Sequence, residues 1–192
     1  MGSEMCIRDS VDISAIAPGV NVAKNEGFKT VITIRGVGYE TNQNAIATPS
    51  VSYHLDGIYI ASPYSLQTEF MDLERIEVLR GPQGTLFGQN STGGAINVIT
   101  AAPSLEESSS YGDITVGDYS LIKTRASFNR PLSETVAVRA SFITHKRDGF
   151  TDNLSTGQDL DDADSISARI RFLYQPSDTS VSYTHLTLPT KA

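Results

Sequence analysis

Gly81, Gly84, Gly88, Gly93 and Gly94 crowd one short stretch, and a glycine-rich loop is the first candidate for chemistry. A phosphate-binding loop needs a lysine followed by Ser or Thr after its last glycine, and no lysine lies between Arg75 and Thr100. A dinucleotide fingerprint needs its own glycine spacing between strand and helix, which is absent. What remains from the residues alone is a system of turns that side chains would strain. His54 and His145 stand apart from any nucleophile or acid, and His185 lies in a terminal tail, so each reads as a satisfied structural residue. Asp159, Asp161, Asp162 and Asp164 supply oxygen ligands but lack the glycine and terminal glutamate of a calcium loop, and read as a solvated loop. No catalytic constellation and no metal site is expected. The chain is not expected to be an enzyme or to need a cofactor.

The elements around the knot are strands. Arg75 to Arg80 alternates apolar with charged residues and stops at Gly81-Pro82, where proline fixes φ and removes a donor. Ala95 to Thr100 resumes as a second strand. Upstream, a short helix is predicted over Asp12–Ala17, closed by Pro18-Gly19. Lys24 to Lys29 reads as a polar turn, and Thr30 to Arg35 as a β-branched strand. Val37 to Ser50 reads as a loop. Asp56-Gly57 between Val51–Leu55 and Ile58–Ile60 marks a hairpin, and Leu66, Phe70, Met71 and Leu73 suggest a short helix.

Beyond the Ser-rich linker of residues 103–110 the period becomes two. Ile122, Thr124, Ala126 and Phe128 alternate with polar residues, as do Val136 to Phe142 and Ile166 to Tyr174. About four strands are expected here, joined by tight turns at Tyr119, Pro131 and Pro176 and a long acidic loop over residues 149–164. A soluble sheet with one wet face gives this pattern, and so does a membrane barrel; on pattern alone the soluble sheet is the commoner solution.

The net charge of −7 and the lack of a basic run argue against a nucleic-acid partner. No apolar run reaches the roughly 18 residues of a transmembrane helix, which leaves barrel strands open. Residues 1–10 and 181–192 resemble translated sequencing adapter and are set aside as artefacts, taking Cys6, the one cysteine, with them. An interrupted reading frame is the expectation that follows.

The segment Glu74-Arg75-Ile76-Glu77-Val78-Leu79-Arg80-Gly81-Pro82, then Leu86-Phe87-Gly88, then Gly93-Gly94-Ala95-Ile96-Asn97, resembles the signature of the plug domain of TonB-dependent outer-membrane receptors. Arg35-Gly36, and Val51, Tyr53, Asp56, Gly57, Ile58 and Tyr59, extend the likeness. The resemblance implies an α+β plug domain over residues 11–103. Antiparallel β-strands of a truncated transmembrane β-barrel would follow over 104–180. It implies active uptake of a scarce ligand, most commonly a ferric siderophore, across the bacterial outer membrane. The plug would sit in the barrel lumen and gate it, with outer-membrane lipid around the barrel. The TonB complex would be the energy-giving partner, acting through a segment upstream of the plug that this sequence does not include. By position in the family, ligand contact falls to Arg35, Tyr39, Glu40, Asn42, Gln43, Asn44, Ile60, Ser62, Tyr64 and Phe87. Arg75, Glu77 and Arg80 would pair with the barrel wall and lock the plug in place; the alternative is a solvated strand face. Gly36, Gly57, Gly81, Gly88, Gly93 and Gly94 are the structural glycines. A ligand-sensing transducer and a soluble β-rich binding module are the other readings.

Overall fold

A computed structural model describes residues 13–25, 29–38, 49–61, 70–152, 159–177 and 179–190. It divides into two compact units, 1–101 and 102–192. In the first, α1 (Ile13–Ile16) leads into β1 (Val20–Asn25), which pairs antiparallel with β2 (Lys29–Ile34); β3 (Val37–Gly38) completes a three-stranded sheet. Of the polar turn expected over Lys24 to Lys29, Lys24, Asn25 and Lys29 instead belong to the paired strands, and residues 26–28 lie outside the described residues. β1 itself and β3 were not expected, because Val20 and Val22 give only two apolar positions before the sequence turns polar.

The second sheet has the order β5-β4-β7-β6. β4 (Val51–Leu55) and β5 (Ile58–Tyr59) form the hairpin at Asp56-Gly57. Both turn residues have positive φ, 50° and 79°, as a two-residue primed turn requires. β6 (Leu73–Arg80) runs antiparallel to β7 (Gly94–Thr100), while β4 pairs with β7 in parallel. The glycine knot between β6 and β7 contains one helical turn, α2 (Gly84–Phe87), a feature that five glycines in the sequence obscure. Ile13, Val20, Val22, Ile32, Ile34, Val51, Tyr53, Phe70, Ile96 and Val98 form one buried apolar cluster. The helix expected near Leu66 falls mostly outside the described residues.

Two of the expected structural glycines, Gly93 and Gly94, are fixed by crowding. A Cβ on Gly94, at φ +148°, would lie 2.4 Å from the Leu79 carbonyl oxygen and 2.8 Å from Ile34 Cδ1. On Gly93 it would meet Val37 Cγ1 at 2.8 Å. Gly36, Gly57, Gly81 and Gly88 have open space but positive φ.

The second unit is a five-stranded antiparallel sheet in the order β14-β13-β10-β9-β8, with a small separate ribbon of β11 (Thr151–Asp152) and β12 (Asp159–Leu160). Its strands are β8 (Ser109–Gly117), β9 (Leu121–Pro131), β10 (Val136–Arg147), β13 (Ala163–Ser177) and β14 (Ser180–Thr190). The tail set aside as adapter-derived therefore joins the sheet through its backbone. An open edge of N–H and C=O groups accepts any extended segment, whatever its side chains.

Register shows which side chains share a face. Gly112, Ala126, Phe142 and Ala168 lie in one cross-strand row, and Ser110, Phe128, Ala140 and Ile170 in another. On the opposite face Tyr111, Ser127, Ser141 and Arg169 align, as do Asp113, Arg125, Ile143 and Ser167. The apolar face is the open one: Ile114 is 71% exposed, Val116 74% and Phe128 57%, whereas Lys123 is 9% and Arg169 5% exposed. Arg125 Nε donates to Asp113 Oδ1 at 2.8 Å on the polar face. Asn129, also buried, donates to the carbonyls of Ser104 and Glu107 and accepts from the Ser104 N–H, tying the linker to β9.

Candidate functional site

The residues that carry the site in the first unit sit on the face of the four-stranded sheet opposite its apolar core. Val51, Tyr53 and Leu55 of β4 point into the core or pack against it, so Ser52 and His54 take the other side. Register sets His54 opposite Asn97 of β7, and Asn97 opposite Glu77 of β6. Asn97 Nδ2 donates to Glu77 Oε2 at 3.0 Å, and Arg75 Nε donates to Glu77 Oε1 at 2.8 Å. Arg75 also pairs with Glu74. The Arg75 hydrogen bond, with help from Asn97, holds the Glu77 carboxyl below its ordinary range; the same bond raises the Arg75 guanidinium.

α2 brings Phe87 edge-on to His54, with ring centres 4.9 Å apart, and Tyr59 of β5 lies 5.5 Å from the same imidazole. Asn90, left-handed at φ 64°, donates from Nδ2 to the Tyr59 hydroxyl at 2.8 Å. Ser91 Oγ donates to the Gly88 carbonyl. Asp56 accepts from the Thr100 N–H and hydroxyl, which fixes the β4–β5 turn to the end of β7. Burial lowers the His54 pKa, opposed by a hydrogen bond with the Gly57 backbone, and burial raises the Tyr53 phenol. His54 is thus not the fully satisfied histidine expected: its buried Nε2 has no partner among the described residues.

Of the ligand-contact candidates, Phe87 belongs to this cluster, Ile60 is half-buried against the core, and Arg35 is exposed at the β2–β3 turn with φ 53°. Tyr39, Glu40, Asn42, Gln43, Asn44, Ser62 and Tyr64 lie outside the described residues. Of the lock candidates, Arg75 and Glu77 pair with each other, and Arg80 is exposed at the end of β6. Asn97 and Asn90 were missed. Their partners are far away in sequence, and only the strand register and the α2 turn bring them close. No group of three acidic, histidine or cysteine residues able to hold a metal occurs among the described residues.

The model of the TonB-dependent Receptor Plug Domain matches residues 7–95, from α1 through the glycine knot to the start of β7. The first unit is a TonB-dependent receptor plug domain. The likeness continues into the second unit. The pesticin receptor of Yersinia pestis is 31% identical over 163 residues, 82% of this chain and 23% of that protein. The ferric enterobactin receptor PirA of Pseudomonas aeruginosa is 27% identical over 186 residues, 85% of this chain and 24% of that protein. Among solved structures, the ferric yersiniabactin uptake receptor FyuA from Yersinia pestis superposes with a TM-score of 0.76 at 26% identity, covering 90% of this chain and 27% of that one. The chain therefore spans about a quarter of the relatives it matches. The family is one of receptors and transporters, and the second unit corresponds to barrel strands that follow the plug.

Proposed function

We propose that this plug and these strands belong to a transporter that carries a scarce ligand, a ferric siderophore, across the bacterial outer membrane in a TonB-dependent cycle. The inverted second sheet is the observation that carries the reading. An apolar face left open, opposite buried cations and amides, suits lipid outside and a wet lumen inside. The ten steps from Asp164 to Tyr174 of β13 rise about 33 Å along the strand at ~3.3 Å per residue. Tilted by about 40°, that span becomes an apolar band of roughly 25 Å, the height such barrels present to a bilayer. The polar row Lys146–Asp164 would then mark one boundary and Tyr174 the other.

In this reading the plug closes the lumen. Arg35, Ile60 and Phe87, with the candidates in residues 39–44 and 62–64, touch ligand. Arg80, the exposed cation at the end of β6, is the strongest lock candidate, since Arg75 and Glu77 already neutralise each other. The iron is cargo inside its chelator and needs no ligand from the plug. The experiment is uptake of radiolabelled ferric siderophores by iron-starved cells expressing the intact receptor. At least one is expected to enter, and only where the TonB complex is functional. Entry that persists without TonB would overturn the reading.

A further inference from the structure

Three buried polar atoms share one region of the plug sheet: Ser52 Oγ, His54 Nε2 and Asn97 Oδ1, none with a hydrogen-bond partner among the described residues. Ser52 is 0% and His54 5% exposed. Ser52 and His54 are two residues apart on β4 and so share a face, and His54 and Asn97 are directly opposite across the β4–β7 pair. Buried groups left like this are costly, and native proteins rarely tolerate three together.

The donor count shows what would satisfy them. Asn97 turns its amide nitrogen to the Glu77 carboxylate, which fixes Oδ1, a pure acceptor, on the other side. The His54 ring spends its hydrogen bond on the Gly57 backbone. A neutral imidazole whose proton is used there offers only a lone pair at Nε2. The region therefore holds two acceptors and one hydroxyl. The Ser52 proton can serve one acceptor and leaves the other bare. A direct His54–Asn97 contact sets two lone pairs against each other. A molecule with two O–H donors and an acceptor serves all three groups.

We propose that Ser52, His54 and Asn97 form a hydration site in the plug that holds one water molecule. The water donates to His54 Nε2 and Asn97 Oδ1 and accepts from Ser52 Oγ, the usual three bonds of an internal water. Through it the row Arg75–Glu77–Asn97 continues to His54, whose ring carries Phe87 of α2 and Tyr59 of β5. The water is thus the joint between the glycine knot and the charged edge of the sheet. Protonation of Nε2 turns that acceptor into a donor and breaks the joint. The titratable and charged groups around it are Tyr59 on β5 and the Arg75–Glu77 pair reached through Asn97. The inference does not depend on what the receptor transports.

The test is nitrogen NMR of the full chain in detergent micelles with labelled histidine. The chain has three histidines, and His54→Gln assigns the relevant signal. In the unmutated protein at neutral pH, His54 is expected to be neutral with its proton on Nδ1, and its ring to show Overhauser transfer from a long-lived water. That transfer should fall at least about twofold in both Ser52→Ala and Asn97→Leu, each removing one of the three bonds. A proton on Nε2 at neutral pH would mean a direct bond to Asn97 and would overturn the proposal. So would absence of long-lived water in the unmutated chain, or transfer unchanged in both variants. The tautomer is read without any substitution, so a variant that fails to fold does not blunt the test.

Discussion

The two units apply one rule with opposite outcomes. Strands in both alternate polar and apolar residues, yet Ile96 and Val98 are fully buried while Ile114 and Val116 are mostly exposed. In the plug the apolar faces of two sheets close on each other. In the second sheet the polar face is the shielded one, with Arg125 paired to Asp113 and Asn129 holding three backbone groups. Alternation therefore specifies a strand and its two faces, but not which face meets the surroundings. The solvent decides that, and a bilayer reverses the answer that water gives.

The largest expected effect separates the units outright. Residues 11–102 alone should stay in solution, while the whole chain should need detergent, because its second sheet exposes an apolar face and open edges. Sedimentation of the two without detergent checks this; equal solubility would break the contrast. Next comes the link between plug and wall. If Arg80 is the proposed lock, Arg80→Ala in the intact receptor should loosen the plug by roughly 3–5 kcal/mol, the cost of leaving one member of a buried pair unpaired. Entry of antibiotics too large for porins should rise while siderophore binding stays near wild type. Tyr39→Ala should do the reverse. Binding lost with no leak would move β6 to the ligand site.

Substitution inside one unit should leave the other alone. Gly94→Val drives a Cβ toward the Leu79 carbonyl in a backbone conformation that valine avoids. It should destabilise residues 11–102 by about 3 kcal/mol in urea unfolding. Ile170→Lys, on the exposed apolar face, should weaken folding of the intact receptor into lipid vesicles by about 2–4 kcal/mol and leave the plug unchanged. Smallest is the effect of pH. Burial lowers the folded pKa of His54, so its contribution is complete above the unfolded value of about 6.5 and is lost as pH falls through the folded one. Glu77, held low by Arg75 and Asn97, adds a loss of the same sign below its ordinary range. The urea midpoint of residues 11–102 should therefore fall from neutral to mildly acid pH, and His54→Gln should remove the upper part of the fall.

Local signals carried most of the strands. β2, β6, β7, β9, β10 and β13 follow from β-branched or alternating runs with glycine or proline at their ends. The Asp56-Gly57 turn follows from one dipeptide. β1 was hidden because its apolar positions are few, and β14 because its sequence was set aside while its backbone needs only an open edge. The site was harder to read. Glu77, Asn97 and His54 become neighbours through an antiparallel and then a parallel pairing, and no periodicity in the chain records that register. Nothing beside Asn90 in the sequence marks it, and only the α2 turn sets it against Tyr59. The family resemblance supplied what the residues alone left open, namely barrel strands rather than a soluble sheet for the second unit.

The pairing of β4 with β7 has a mechanical side. β1, β2 and β3 form an antiparallel sheet of their own, so tension on the N-terminus opens the β1–β2 pairs one after another, as a zipper does. β4 and β7 run parallel, and a pull between the start of β4 and the end of β7 loads all their bonds together in shear. The plug thus contains a weak fastener ahead of a strong one. A force applied upstream meets the weak fastener first.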